Sequence, residues 1–208
     1  WFTVTNRSKT YVSKVLKKIS GEYFKNYKVD KILRSENNVR IVIGNDYLDY
    51  DHVVLASHAD QSLKMLEKAS FDEKRILGEF KYVSNTAVLH TDEKLMPKKK
   101  IAWSSWNSIS KKNLSETCIT YWLNNLQNLK CNEDYFLTLN PIQDVDTDKV
   151  IHKVNFTHPY FTTQTARLQK DLFSLQGKRR TWFCGSYFGY GFHEDGLKSS
   201  IEMIKKFN

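Results

Sequence analysis

Cysteine is scarce in this sequence and never paired. Cys118, Cys131 and Cys184 are odd in number and far apart, with no CxxC spacing. That argues against a disulfide framework or a zinc knuckle and fits a reducing, cytoplasmic setting. No run approaches the ~18 to 20 apolar residues of a membrane-spanning helix. The opening WFTVTNRSKT has neither signal-peptide nor transit-peptide character, and no initiator methionine precedes it. There is no internal repeat, no low-complexity segment, and no RNP, zinc-finger or helix-turn-helix pattern.

What is present suffices for a real core: 208 residues, 40% of them hydrophobic. By length this is one large domain, or one domain plus a piece of another. The formal net charge is +9. Its lysines sit in short clusters, at Lys98–Lys100, Lys111–Lys112 and Lys178–Arg180. These read as a solvated surface ahead of a nucleic-acid face, so no nucleic-acid partner is expected. Binding to nucleic acid or anionic lipid through that surface is the alternative, and it would carry a steep salt dependence. A position peripheral to a membrane stays open.

Periodicity places a helix over Tyr11–Ile19, with Ser8 as its cap. Two short strands flank the turn Ser35–Asn38, and Val53–Ala56 has the apolar run of a buried strand. Helical patterns follow at DQSLKMLEKA and FDEKRILGEF, the second with acidic residues in its first turn. The middle is rich in strands: KYVSNTAVLHTD, KIAWSSWNSI, TCITYWLNNLQ, DYFLTLNP and KVIHKVNF. Their β-branched and aromatic content between polar turns predicts a largely antiparallel sheet. TQTARLQKDLFSLQG returns to helix and stops at Gly177. The fold class is mixed α and β.

Thr181–Ser200, TWFCGSYFGYGFHEDGLKSS, is the most informative stretch. A strand over Thr181–Cys184 empties into four glycines, a His-Glu-Asp triplet and a helix starting near Gly196. Glycine lets backbone approach a ligand, and a helix N-terminus offers unpaired N–H groups to an anionic or electron-rich cofactor. A plain strand-to-helix turn is the blander reading. His193-Glu194-Asp195 is not H-E-x-x-H, and three consecutive residues share no helical face, so no metal is expected. Hydrogen bonds holding the loop, with Asp195 as a helix cap, suit the triplet better. Trp103, Trp106, Tyr121 and Trp122 can line a hydrophobic channel or fill a strand core.

FKNYKVDKILRSENNVRIVIGNDYLDYDHVVLAS and WFCGSYFGYGFHEDGLKSS together resemble the C-terminal part of the amine-oxidase-like FAD flavoproteins. Within that group the phrases HADQSLKML, YVSNTAVLHTD, AWSSWN, TYWLNNLQ, LTLNP, HPYF and GFHEDGLKSS look like a bacterial subgroup of predicted NAD/FAD-binding proteins. The resemblance implies a substrate-domain mixed sheet with flanking helices, plus the C-terminal part of a Rossmann-like FAD-binding domain. It divides the chain into 1–60 (partial FAD-binding elements), 61–176 (substrate domain) and 177–208 (last FAD-binding strand, glycine loop and helix).

The same resemblance implies non-covalent FAD and hydride transfer to it, and the aromatic and apolar middle segment points to a small hydrophobic substrate. Val29 matches the position that meets the adenine, and Ala56 and Ser57 end the strand beneath the cofactor. Gly185 approaches the ribityl and pyrophosphate groups. Asp195, Gly196 and Leu197 match the helix start at the flavin pyrimidine edge, where a dipole end stabilises negative charge. Ser186 stands where many relatives carry a Glu that contacts the cofactor. The G-x-G-x-x-G fingerprint that cradles the pyrophosphate is absent from all 208 residues. The expectation is a chain that begins mid-protein, with its N-terminal FAD-binding segment supplied in cis or in trans and inactive alone. The non-enzymatic alternative is a binding module that kept the substrate-domain sheet and lost the cofactor.

Overall fold

The computed structural model describes residues 4–5, 7–110 and 118–207. They form two compact units, one from 1–22 and 84–158 and the other from 23–83 and 159–208. The boundaries read from sequence, at 60/61 and 176/177, both fall inside the second unit. In chain order the elements are α1 (Ser8–Leu16), β1 (Lys31–Arg34), β2 (Val39–Ile43), β3 (Asp46–Tyr50), β4 (Val53–Leu55), α2 (Ala59–Met65) and α3 (Phe71–Leu77). There follow β5 (Lys81–His90), β6 (Trp106–Ile109), β7 (Cys118–Trp122), α4 (Leu123–Leu126), β8 (Phe136–Leu139) and β9 (Val150–Tyr160). The chain ends with α5 (Thr163–Leu172), β10 (Thr181–Phe183) and α6 (His193–Phe207).

In the second unit β1, β2 and β3 make an antiparallel meander, with Ile32 opposite Ile41 and Val39 opposite Tyr50. The turn at Ser35–Asn38 forms as expected: Ser35 Oγ accepts the N–H groups of Asn37 and Asn38 at 3.2 and 3.0 Å. β3 is exposed at every position. β4 runs parallel to β10, Val53 opposite Thr181 and Leu55 opposite Phe183. Gln176 lies along the other side of β10. Its amide donates to the Phe183 carbonyl at 2.7 Å and accepts the Phe183 N–H at 2.9 Å. Ile32, Leu55, Ile76, Leu77, Phe80 and Phe183 are among the buried residues that fuse these elements into one core.

A buried ion pair crosses that core. The side chains of Arg34 (β1) and Glu73 (α3) are 1% and 4% exposed. Arg34 Nη2 donates to Glu73 Oε2 and to the Lys68 carbonyl at 3.0 Å each, and Nη1 reaches Thr181 Oγ1 at 3.4 Å. Glu73 also completes a capping box with Ser70 at the start of α3. Burial pushes the Glu73 carboxyl up, but the Arg34 hydrogen bonds and the Ser70 N–H outweigh it and hold it below its ordinary value.

In the first unit the sheet order is β6-β7-β8-β5-β9, and β6, β7, β8 and β5 pair antiparallel in turn. α1 starts at Ser8 itself and no side chain caps it, so Ser8 is the first helical residue rather than the cap. Asn107, Thr120, Thr138 and Val88 stand opposite one another across four strands. Three of them join a buried polar row with His90. His90 Nε2 lies 2.8 Å from Thr138 Oγ1, which lies 2.8 Å from Thr120 Oγ1. Asn107 Nδ2 donates to the Ser104 carbonyl at 2.7 Å and to the Thr120 carbonyl at 3.4 Å. His90, Thr120 and Thr138 are each 0% exposed. The Asp92 N–H donates to His90 Nδ1 at 3.1 Å, so the proton sits on Nε2 and the ring is neutral.

Two outcomes follow. Glu73→Gln leaves the buried Arg34 charge uncompensated and should cost about 3–5 kcal/mol in urea unfolding, whereas Arg34→Met with Glu73→Leu should recover most of that loss. Burial lowers the His90 pKa, against the opposing pull of Asp92. The unfolded chain therefore binds a proton near pH ~6.5 that the folded chain resists. The stability His90 contributes is full above that pH and is lost as pH falls towards the depressed folded value. Urea midpoints measured from pH 7.5 down to 5.5 should fall, and His90→Gln should flatten the slope; a flat wild-type profile would refute the assignment.

Candidate functional site

The second unit holds every residue that the sequence assigns to the cofactor, whereas Trp103, Trp106, Tyr121 and Trp122 fall in the first. Val29, just ahead of β1, and Ser57, just after β4, line one open cavity of about 580 Å³, together with Lys28, Asp30, Gln61, Lys64 and Met65. That volume is in the range of small-molecule sites. The turn between β4 and α2 is held from both sides. Ser57 Oγ and Ser62 Oγ are 2.9 Å apart, and the Ala59 N–H donates to the Tyr82 hydroxyl at 3.0 Å. The Tyr82 ring stacks on His58 with centroids 4.2 Å apart. Burial raises the Tyr82 phenol to about 12, so it stays protonated.

Gly185 connects this turn to the glycine loop. A Cβ there would stand 3.8 Å from the Ser57 carbonyl and 2.7 Å from the Tyr187 ring, so no other residue fits without moving Tyr187. The Gly185 N–H donates to Ser199 Oγ on α6 at 2.9 Å, and Ser199 Oγ donates to the Gly196 carbonyl at 2.7 Å. A Cβ on Gly196 would meet the Ser186 nitrogen at 3.8 Å. Val29 and Ser57 thus share a cavity; Gly185 lies at ordinary contact distance from Ser57, and Gly196 from Ser186, outside the cavity's lining. Ala56 is exposed beside it, and Leu197 is 56% exposed on α6.

The helix start differs from expectation. α6 opens at His193, not near Gly196. The carbonyl of Phe192 already accepts the Asp195 and Gly196 N–H groups, at 3.1 and 3.3 Å. The Asp195 carboxylate reaches back instead, taking the N–H groups of Tyr190 and Phe192 at 3.0 Å each. It acts as the third-position half of a capping box without a Ser or Thr cap. Gly189 has to be glycine because a Cβ there would fall on the Asp195 carboxylate. Glu194 pairs with Lys198 at 3.6 Å. The His-Glu-Asp triplet is therefore divided between surface and loop.

Lys28, Gln61, Lys64 and Met65 were not singled out from sequence, although a signal exists. Gln61, Lys64 and Met65 follow Ser57 at helical spacing, and Lys28 adjoins Val29. With Asp30 offsetting one of them, the two lysines leave the lining net positive, which suits a phosphate-bearing ligand. In the Lys178–Arg180 cluster both arginines are spent on structure. Arg179 donates to the Lys68 carbonyl at 2.6 Å, and Arg180 to the carbonyls of Glu36 and Asp51 at 2.7 and 3.3 Å. Lys111 and Lys112 lie outside the described residues. Among those described, no helix is long and apolar enough to cross a membrane.

No protein-family model and no curated protein matches the chain. Solved structures do match it. A protein assigned as a protoporphyrinogen oxidase from Exiguobacterium sp. 255-15 superposes with a TM-score of 0.70 at 12% identity, over 96% of this chain and 50% of that one. A fatty acid isomerase from P. acnes gives 0.67 at 12%, over 96% and 52%. Putrescine oxidase bound to putrescine gives 0.65 at 8%, over 97% and 53%. The chain thus spans about half the length of the structures it matches. It has the fold of that part of the amine-oxidase-like, FAD-dependent flavoproteins.

Proposed function

We propose that the chain is the cofactor- and substrate-binding half of an FAD-dependent oxidoreductase. The observation that carries this reading is the cavity at Val29 and Ser57, with Lys28 and Lys64 in its lining. Its residues fit the group. Val29 would offer backbone to the adenine and Lys28 and Lys64 charge to phosphate, with Ser57 in the same lining and Gly185, Ser186 and Gly196 proposed as the backbone nearest the flavin. When bound, FAD supplies a two-electron acceptor for hydride from a C–N or C–C bond. The chain's own contribution is to bind, orient and exclude water. Asp195, Gly189 and the Ser199 hydroxyl keep the loop fixed while doing so.

The main pyrophosphate cradle would come from a segment carrying G-x-G-x-x-G, in cis or in trans, since these 208 residues contain none. The fold by itself does not select a substrate. Its solved relatives include a fatty acid isomerase and an oxidase that binds putrescine. We take the substrate to be hydrophobic.

The test is flavin absorbance after incubation with excess FAD and gel filtration, on the chain alone and joined to its upstream coding segment. Flavin should co-elute with the joined protein, and Lys28→Ala with Lys64→Ala should weaken its retention roughly tenfold. Colourless protein in both forms would overturn the reading.

A further inference from the structure

Two cavities of the second unit, of about 350 and 730 Å³, adjoin one another: Arg34, Ser35 and Arg179 line both. Arg40 and Lys68 add positive charge to the smaller and Arg180 to the larger, while Glu67 and Glu36 supply one carboxylate to each. Most of these charges are already answered. Arg34 pairs with Glu73, Arg40 with Asp49, and Glu67 with Lys31. Among the described residues no carboxylate forms an ion pair with Lys68, Arg179 or Arg180. With the paired groups set aside, those three cations stand against Glu36 alone, a surplus of two positive charges.

The backbone is bent to place two of the three. After Gly177 at φ 76°, Arg179 and Arg180 both take left-handed conformations, at φ 51° and 61°. Residues other than glycine, asparagine and aspartate seldom enter that region, and two arginines in succession would be cheaper as glycines. What the strained turn secures is direction. Arg179 Nη1 and Arg34 Nη2 converge on one acceptor, the Lys68 carbonyl, at 2.6 and 3.0 Å. Arg180 is held by the carbonyls of Glu36 and Asp51. These contacts occupy one donor of Arg179 and two of Arg180, out of the five on each guanidinium. They fix the plane of each fork, and its remaining N–H groups make no hydrogen bond within the described residues.

We propose that these adjoining cavities bind a small phosphate-bearing ligand, its phosphate held by the Arg179 and Arg180 forks and the Lys68 ammonium. Planar guanidinium donors match phosphate oxygens two at a time, and an anion of high charge is what three unanswered cations lack. The larger cavity leaves room for the body of a small molecule beyond its phosphate. The site shares no lining residue with the cavity at Val29 and Ser57, so it stands apart from the oxidoreductase reading.

The test is calorimetric titration of the 208-residue chain with inorganic pyrophosphate at about 0.15 M ionic strength. Saturable binding is expected. Arg179→Gly, which suits the left-handed backbone, should weaken it roughly tenfold or more with the thermal transition little changed. Lys68→Ala should weaken it roughly threefold or more. The Lys68 side chain makes no hydrogen bond or ion pair within the described residues, so its variant decides the matter even if Arg179→Gly disturbs the fold. Lys28→Ala with Lys64→Ala, in the other cavity, should leave intact the binding that Arg179→Gly removes. No saturable binding, binding that survives both Arg179→Gly and Lys68→Ala, or loss only in the Lys28 and Lys64 variant overturns the proposal. So does displacement by single-stranded DNA that tightens with oligonucleotide length, which would mark a nucleic-acid face instead. FAD retention should be the same in Arg179→Gly as in the unaltered chain, so either reading can fail while the other stands.

Discussion

The second unit is organised around one guanidinium. Arg34 reaches, from a single side chain, the carboxylate of Glu73, the carbonyl of Lys68 and the hydroxyl of Thr181. Arg34 itself belongs to the meander, and its partners to the approach and first turn of α3 and to the first residue of β10. A guanidinium can do this because its planar donors point in fixed directions and stay charged. Glu73 answers with both oxygens and still closes the capping box with Ser70. The pair carries a desolvation penalty that an apolar contact would avoid. In return it fixes the angle and register at which three elements meet; Gly185 follows the last of them, β10, whose partner β4 leads into the turn at Ser57.

The first unit shows a different economy. Its hydrogen-bonded interior face is complete within the sheet, from His90 through Thr138 and Thr120, with Asn107 alongside. Such a row is specific about register, since a slip of one residue would drive the polar side chains outwards and the leucines inwards. The same face also buries Phe136, Cys118 and Val88, so the polar row is set within an apolar layer.

Much of the architecture was legible in the sequence because most elements announce themselves locally. The turn at Ser35–Asn38, the acidic first turn of α3 and the strand-rich middle are all written in neighbouring residues. β3 was not legible, because Asp46–Tyr50 is exposed throughout and has no buried alternation to detect. The start of α6 was misplaced for a physical reason: Asp195 looks like a cap, but it caps from inside the helix, across to Phe192. The Arg34–Glu73 pair spans 39 residues and leaves no local trace. Of the candidate site, Val29 and Ser57 were readable, whereas Lys28 and Lys64 gained meaning only once the cavity wall existed. That Trp106 stands opposite Tyr121 and Trp122 opposite Phe136 depends on strand register, which no spacing in the sequence reveals.

Gln176 has one more consequence. By presenting an amide to both backbone groups of Phe183, it imitates the next strand and ends the sheet there. The parallel pair therefore has a terminus on the β10 side and a growing point on the β4 side, where Val54 is 43% exposed. Any strand that enlarges this sheet has to add at Val53–Leu55, immediately before the turn that shapes the cavity. Extension of the sheet and access to the site would then be controlled from the same edge.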